Sequence, residues 1–178
     1  PLSGSVQTPD ALLFGRVFKD LQLQLHSSAQ GLQVQASGPT LAGSLNLPDD
    51  LQRAGITANL KRLYWPAESA GASGTPAAAA PMAAVNPASL PPLHLRVDDF
   101  HLGAAQFGSA NFQSTPIAGG LRIDQLDSHS PNVSMRAQGN WMGDAQNNRT
   151  QMNIEFSAAD LGHMLEALGY QNLVAGGR

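Results

Sequence analysis

Apolar residues recur at every second position along much of this chain, and that period decides most of what it can fold into. Leu21, Leu23 and Leu25 alternate with Gln22, Gln24 and His26. Past a turn at Ala29-Gln30-Gly31, Leu32, Val34 and Ala36 alternate with Gln33, Gln35 and Ser37. Leu41, Gly43, Leu45 and Leu47 continue beyond Gly38-Pro39. Successive side chains of a strand point to opposite faces, so a period of two predicts strands with one dry face and one wet face. Connections this short, carrying Gly or Pro, favour hairpins over crossover helices.

Pro48-Asp49-Asp50-Leu51-Gln52-Arg53 interrupts the pattern and fits one helical turn. Ile56, Ala58 and Leu60 then share a face, while Leu63 and Trp65 have the other parity. Either a bulge near Lys61-Arg62 restores them to the same face, or the strand ends there. The second half reads as a denser meander. Leu93, Leu95 and Val97 share a parity, and Phe100 and Leu102 shift by one, which predicts a bulge near Asp98-Asp99. Phe107 and Phe112 mark the next strand, and Leu121 and Ile123 follow the turn at Ala118-Gly119-Gly120. Val133, Met135, Ala137 and Trp141 follow Ser130-Pro131-Asn132, and Met152, Ile154 and Phe156 form the last clear strand. The period then changes. Leu161, Met164, Leu165 and Leu168 fit one helical stripe, with Ser157 as N-cap and Gly169 just past the end, which predicts a helix of about three turns over 158–169.

Residues 66–92 differ in composition. They hold ten Ala and six of the chain's twelve Pro, with a single charge, Glu68. The segment has neither period, and Pro76 and Pro81 bracket the poly-Ala run too tightly for a helix. The expected organisation is a first β segment over 1–66 with about four strands, a flexible Pro/Ala-rich linker or insertion over 67–92, and a second β segment over 93–178 with about five strands plus the helix. The halves are weakly alike: Ala29-Gln-Gly-Leu-Gln-Val-Gln35 is similar to Ala118-Gly-Gly-Leu-Arg-Ile-Asp124, which hints at a repeat of hairpins.

Charged residues make up 13% of the chain and its net charge is -3, with no basic block, so a phosphate-contacting nucleic-acid surface is not expected. There are no cysteines, which excludes disulfides, thiolate catalysis and Cys-based metal sites. No run approaches the ~20 apolar residues of a spanning helix. The sequence starts at Pro1 and stops after Val174-Ala-Gly-Gly-Arg178, and we read it as a piece of a longer protein, so any membrane anchor would lie outside it.

No catalytic or metal apparatus is apparent, and no cofactor is expected. His26, His94, His101, His129 and His163 form no familiar metal spacing. Asp98-Asp99 is the one adjacent carboxylate pair outside the Asp49-Asp50 turn; such pairs serve acid–base chemistry or Ca²⁺, but a bulge explains this one more simply. GxSxG, GxxxxGK[ST] and GxGxxG are all absent. Trp65, Trp141 and Tyr64 could stack on sugars, though aromatics at strand ends more often cap a core. A glycosidase would need two converging carboxylates, and the sequence does not show them.

About nine strands at ~4.8 Å spacing make an open sheet roughly 40 Å wide. A three-turn helix, ~16 Å long, cannot cover that face. The sheet must close into a barrel, fold into a sandwich, or stay open as an apolar trough. Periodicity alone favours a dry closed core. An uncovered apolar face larger than a few hundred Å² is normally a binding surface, and an acyl chain is the natural ligand of a long apolar trough.

One stretch is more specific. Asp160-Leu-Gly-His-Met-Leu-Glu-Ala-Leu-Gly-Tyr170, followed by Gly176-Gly177, resembles the C-terminal AsmA-like region of the YhdP family. Leu95-Arg-Val-Asp-Asp-Phe-His-Leu-Gly103, Phe107-Gly108, Gly120-Leu-Arg-Ile123, Ser130-Pro-Asn-Val133 and Gly139-Asn-Trp141 resemble it too. The likeness covers residues 93–178 well and 12–66 more loosely. It implies an extended, twisted antiparallel β-sheet curved into an open groove. It also implies a segment of a Gram-negative periplasmic bridge, anchored in the inner membrane and reaching toward the outer membrane, which conducts phospholipid between the two. The implied partners are phospholipid acyl chains, adjoining β-groove segments of the same parent chain, and envelope proteins. No catalytic residues carry over. The implied groove lining is Leu21, Leu23, Leu25, Leu32, Val34, Leu45, Leu47, Ile56, Leu60, Leu95, Val97, Leu121, Ile123, Val133, Met135, Ile154 and Phe156. The rival expectation is a structural or partner-binding scaffold for outer-membrane assembly, with a closed apolar core.

Overall fold

The computed structural model of the chain describes residues 3–13, 16–66, 86–144, 147–160 and 162. They form one ten-stranded sheet in which spatial order follows chain order. The strands are β1 (Ser3–Leu13), β2 (Arg16–Ser28), β3 (Gly31–Ser37), β4 (Leu41–Pro48) and β5 (Ile56–Trp65), then β6 (Leu93–Leu102), β7 (Ala105–Ile117), β8 (Gly120–His129), β9 (Val133–Gly143) and β10 (Asn148–Ala158). At ~4.8 Å per strand the sheet is about 43 Å across. It is not closed and, among the described residues, no second sheet packs on it, so it stays an open, curved groove, contrary to the dry core that periodicity alone favours.

Two features depart from the reading of the sequence. The first segment has five strands, because β1 joins four recognisable neighbours. It carries Thr8, Pro9 and Asp10 at its centre and has no clear alternation to announce it. The sheet is also mixed. β5 and β6 pair in parallel, while every other neighbouring pair is antiparallel. Two parallel neighbours cannot be joined by a hairpin and need a connection of a dozen or more residues. The Pro/Ala-rich stretch between Trp65 and Leu93 provides that length.

Residues 86–92 of that stretch are described. Pro87–Ser89 form a single 3₁₀ turn capped by Asn86, whose side chain accepts from the Ala88 N–H at 3.0 Å. Pro87 and Pro91 are buried. Residues 67–85 lie outside the described ones, and so do Leu161, Met164, Leu165 and Leu168 of the expected helix. The turn expected after Pro48 is present as α1 (Leu51–Ala54), where the Asp50 carboxylate accepts from the Arg53 N–H at 3.1 Å and closes the first turn.

Both expected bulges are present. Gly43 faces Leu60 and Ala42 faces Arg62, so Lys61 is the extra residue, and Leu63 returns to the face of Leu60. On β6 the register slips between Val97 and Phe100, at Asp98-Asp99. A further bulge at Asp124-Gln125 slips β8 against both its neighbours. Bulges bend a strand and raise its twist, and these fall in the middle and second half of the sheet.

Candidate functional site

Register turns the alternation of single strands into rows that cross the sheet. Directly paired residues share a face. One row runs Val6, Leu23, Ala36, Gly43, Leu60, Val97, Ala110, Ser128, Met135, Phe156, with each residue paired to the next. A second, two residues along each strand, runs Gly4, Leu25, Val34, Leu45, Ala58, Leu95, Phe112, Leu126, Ala137, Ile154. Both cross all ten strands without a charged residue. A third row is Ser27, Leu32, Leu47 in the first half and Ile56, Leu93, Ser114, Ile123, Gly139, Met152 across the rest.

The predicted lining falls on this one face. Leu23, Leu60, Val97, Met135 and Phe156 are in the first row, and Leu25, Val34, Leu45, Leu95 and Ile154 in the second. Leu32, Leu47, Ile56 and Ile123 are in the third. Leu121, paired with Trp141, continues the face two residues beyond Ile123; Val133, paired with Ala158, continues it beyond Met135; Leu21 continues it beyond Leu23. The expected lining omits Ala58, Leu93, Ala110, Phe112, Leu126, Ala137, Trp141 and Met152, which share the face. Parity already groups Ala58, Leu93, Ala137, Trp141 and Met152 with residues of that lining. Leu126 is different, because the Asp124-Gln125 bulge changes its parity relative to Ile123. Ser114 and Ser128 also lie in the rows, and polar residues there give no signal in the sequence.

Burial along the face is uneven. Leu23, Leu25, Leu32, Val34, Leu45 and Leu47 are half-buried, whereas Leu121 is 1% exposed and Val97 and Ala137 are buried. At the two outermost strands the face opens to solvent: Val6 is 52% and Ile154 59% exposed. Phe18 and Leu21, three residues apart, are both fully buried, because Asp20 between them takes a left-handed backbone (φ 51°) and breaks the alternation. Phe18 packs edge-on against Trp65, ring centroids 5.9 Å apart.

The opposite face carries the polar and charged groups. Asn111 donates to Asp127 at 3.1 Å, and Gln125 also donates to Asp127. At the bulge, Thr115 and Arg122 each donate to Asp124 at 2.6 Å. Partial burial pushes the Asp124 carboxyl up, but those two hydrogen bonds and the Arg122 charge outweigh it and hold the group below its ordinary value. On β5 and β6, Tyr64 stacks on His101 with centroids 4.1 Å apart and donates to Asp99 at 2.6 Å, while His101 Nε2 lies 3.0 Å from the other Asp99 oxygen. A trough of about 830 Å³ lies against β8–β10, lined by both parities, including Met135, Ala137 and Phe156 and also Asp127, Arg136 and Glu155. Among the described residues no group of three His, Asp or Glu is placed to hold a metal, and no helix is long and apolar enough to cross a membrane.

The sequence matches the family model described as YhdP protein over residues 1–178. The chain belongs to the YhdP family. That membership points to the Gram-negative cell envelope and to proteins concerned with lipid transport. No curated protein and no solved structure matches the chain. The rows give this membership a physical form: an apolar strip two to three residues wide, running at right angles to the strands, with ionisable groups kept to the far side.

Proposed function

We propose that this chain is a non-catalytic segment of a periplasmic bridge, anchored in the inner membrane, along which phospholipid passes between inner and outer membranes. The observation that carries this reading is the pair of charge-free rows crossing all ten strands. Burying an acyl chain is worth about 0.8 kcal/mol per CH₂. Rows of similar apolar residues offer nearly the same stabilisation at each strand, so a chain can advance without a deep trap. Headgroups stay at the open mouth, in water. Val6 at one outer strand and Ile154 and Phe156 at the other are exposed apolar residues in line with the rows. That suits a track continued by adjoining β-groove segments of the parent chain. A scaffold built on a closed apolar core is at odds with the open sheet.

Photo-crosslinkers placed one at a time at Leu23, Leu45 and Met135 in the full-length protein in living cells test the proposal. Lipid is expected on all three and not on their outward neighbours Gln22, Ser44 and Arg136. Leu23→Asp is expected to abolish capture downstream, with Gln22→Asp as the silent control. Equal capture on both faces, or none on the inward one, would sink the reading.

A further inference from the structure

The Pro87–Ser89 turn does not hang free of the sheet. It lies across β7, β8 and β9. The face it covers follows from burial. On β7–β9, Ser114, Leu121, Ile123 and Trp141 of the apolar face are buried, while Gln113, Thr115, Arg122 and Asn140 of the other face are exposed, so the buried Pro87 packs on the apolar face. Pro87 itself is fully buried. The third row, like the first two, is more buried here than over β3 and β4. In the first half its Leu32 and Leu47 are half-buried; over β7 and β8 its Ser114 and Ile123 are 2% and 8% exposed.

The strap is held at several points. Ser89 Oγ donates to the Asn86 carbonyl at 2.8 Å, and the Ser89 N–H donates to the same oxygen at 3.1 Å. Gln52 of α1 donates to the Ser89 carbonyl at 3.4 Å, and the Ile56 N–H donates to the Pro92 carbonyl at 2.8 Å. Prolines 87, 91 and 92 restrict its backbone further.

We infer that residues 86–92 form a fixed side wall of the groove, with Pro87 occupying the third row over β7–β9 and confining acyl chains there to the first two rows. This rests on the lipid-track reading above. Neighbouring rows are ~6.7 Å apart along the strands, so losing one narrows the strip from about 13 to about 7 Å between outer rows. The track is three rows wide where a lipid meets β3 and β4, and two rows wide where it crosses β7–β9.

Photo-crosslinkers at Leu47, Phe112 and Ile123 of the full-length protein in cells separate the possibilities. Lipid is expected on Leu47 and Phe112 and at least tenfold less on Ile123. Pro87→Asp expels the turn from an apolar site and is expected to bring Ile123 up toward Phe112, while Pro87→Ala leaves it uncaptured. Lipid on Ile123 of the unaltered protein at the level of Phe112 overturns the wall and leaves the track standing. Lipid on none of the three positions overturns both. Because the chain has no cysteine, the wall can also be located without lipid. Pro87→Cys is combined in turn with Leu121→Cys and with Ile123→Cys, and the protein is oxidised. At least one pair is expected to close a disulfide; failure of both overturns the placement.

Discussion

The two halves of this sheet use the same alternation and reach different degrees of burial. On β2–β5 the apolar face is mostly Leu, most of it is half-buried although Leu21 and Ala58 are buried, and the register slips once, at Lys61. On β6–β9 large residues alternate with Ala110, Ser114, Ser128, Ala137 and Gly139, the register slips at three pairings, and most of the face is buried. Among the described residues no second sheet covers either half. The difference comes from curvature and from the strap. Bulges bend the strands, bending brings large side chains over small neighbours, and Pro87 closes one margin. A single-layer sheet can thus hold one stretch of its apolar face as core and leave another as surface.

The largest expected effect separates these two uses. Leu121→Ala empties a fully buried site on β8 and should cost about 3–5 kcal/mol of local stability. Leu45→Ala, at a half-buried site on β4, should cost about half as much, because half of the side chain already faces solvent. Amide hydrogen exchange on β8–β9 and on β3–β5 measures each. Equal losses would mean that the first half is as well covered as the second, and the contrast would fail.

Next in size is the backbone at the one slip of the first half. Gly43 holds φ at 144° opposite the Lys61 bulge, and a Cβ there would meet the Asn59 carbonyl oxygen and the Leu60 backbone. Gly43→Ala should cost about 1–3 kcal/mol, read as faster exchange on β4 and β5. Gly4 lies in the neighbouring row, and a Cβ there would meet nothing within 4 Å. Gly4→Ala should change exchange on β1–β2 by less than about 0.5 kcal/mol.

Smaller still is the effect of the two hydroxyls in the buried half. Ser114 Oγ and Ser128 Oγ are buried with no hydrogen-bond partner among the described residues. Removing an unsatisfied buried hydroxyl removes a desolvation cost. Ser114→Ala and Ser128→Ala should therefore be neutral or stabilising by up to about 1 kcal/mol in exchange of β7–β8. A loss larger than that would reveal a partner, and with it a polar interruption of the apolar rows.

Much of this was readable from residue order, and the parts that were not have physical causes. The face of Leu21 to Leu47 follows from period two, and the bulges at Lys61-Arg62 and Asp98-Asp99 follow from a change of parity within a strand. The strand β1 did not follow: its positions on the apolar face include Gly4 and Thr8 beside Val6, so apolar and polar residues do not alternate clearly along it. The parallel seam was only half visible. The long Pro/Ala connection has the length that a parallel pair needs, but composition does not say which strands it joins. The burial of Pro87 on β7–β9 had no local signal, since it depends on contact between segments separated by one to three strands.

The seam between the halves gives the smallest and most local test. Tyr64 of β5 and His101 of β6 are direct partners in the parallel register, and Asp99, from the bulge, accepts from the Tyr64 hydroxyl at 2.6 Å. That hydrogen bond, then slight desolvation and the nearby carboxylate charge, raises the Tyr64 pKa above 10.0. A raised pKa means that the folded state favours the protonated phenol. The contribution of this clasp is therefore fully present below pH 10.0 and is lost as pH rises through the raised value. Tyr64 and Tyr170 are the two tyrosines of the chain, so ultraviolet titration of a Tyr170→Phe variant follows Tyr64 alone. Its midpoint should lie above 10.0 and fall back toward it in Asp99→Ala. An unchanged midpoint would mean that Asp99 does not hold the phenol, and that the two halves meet at the seam through backbone pairing and apolar contact alone.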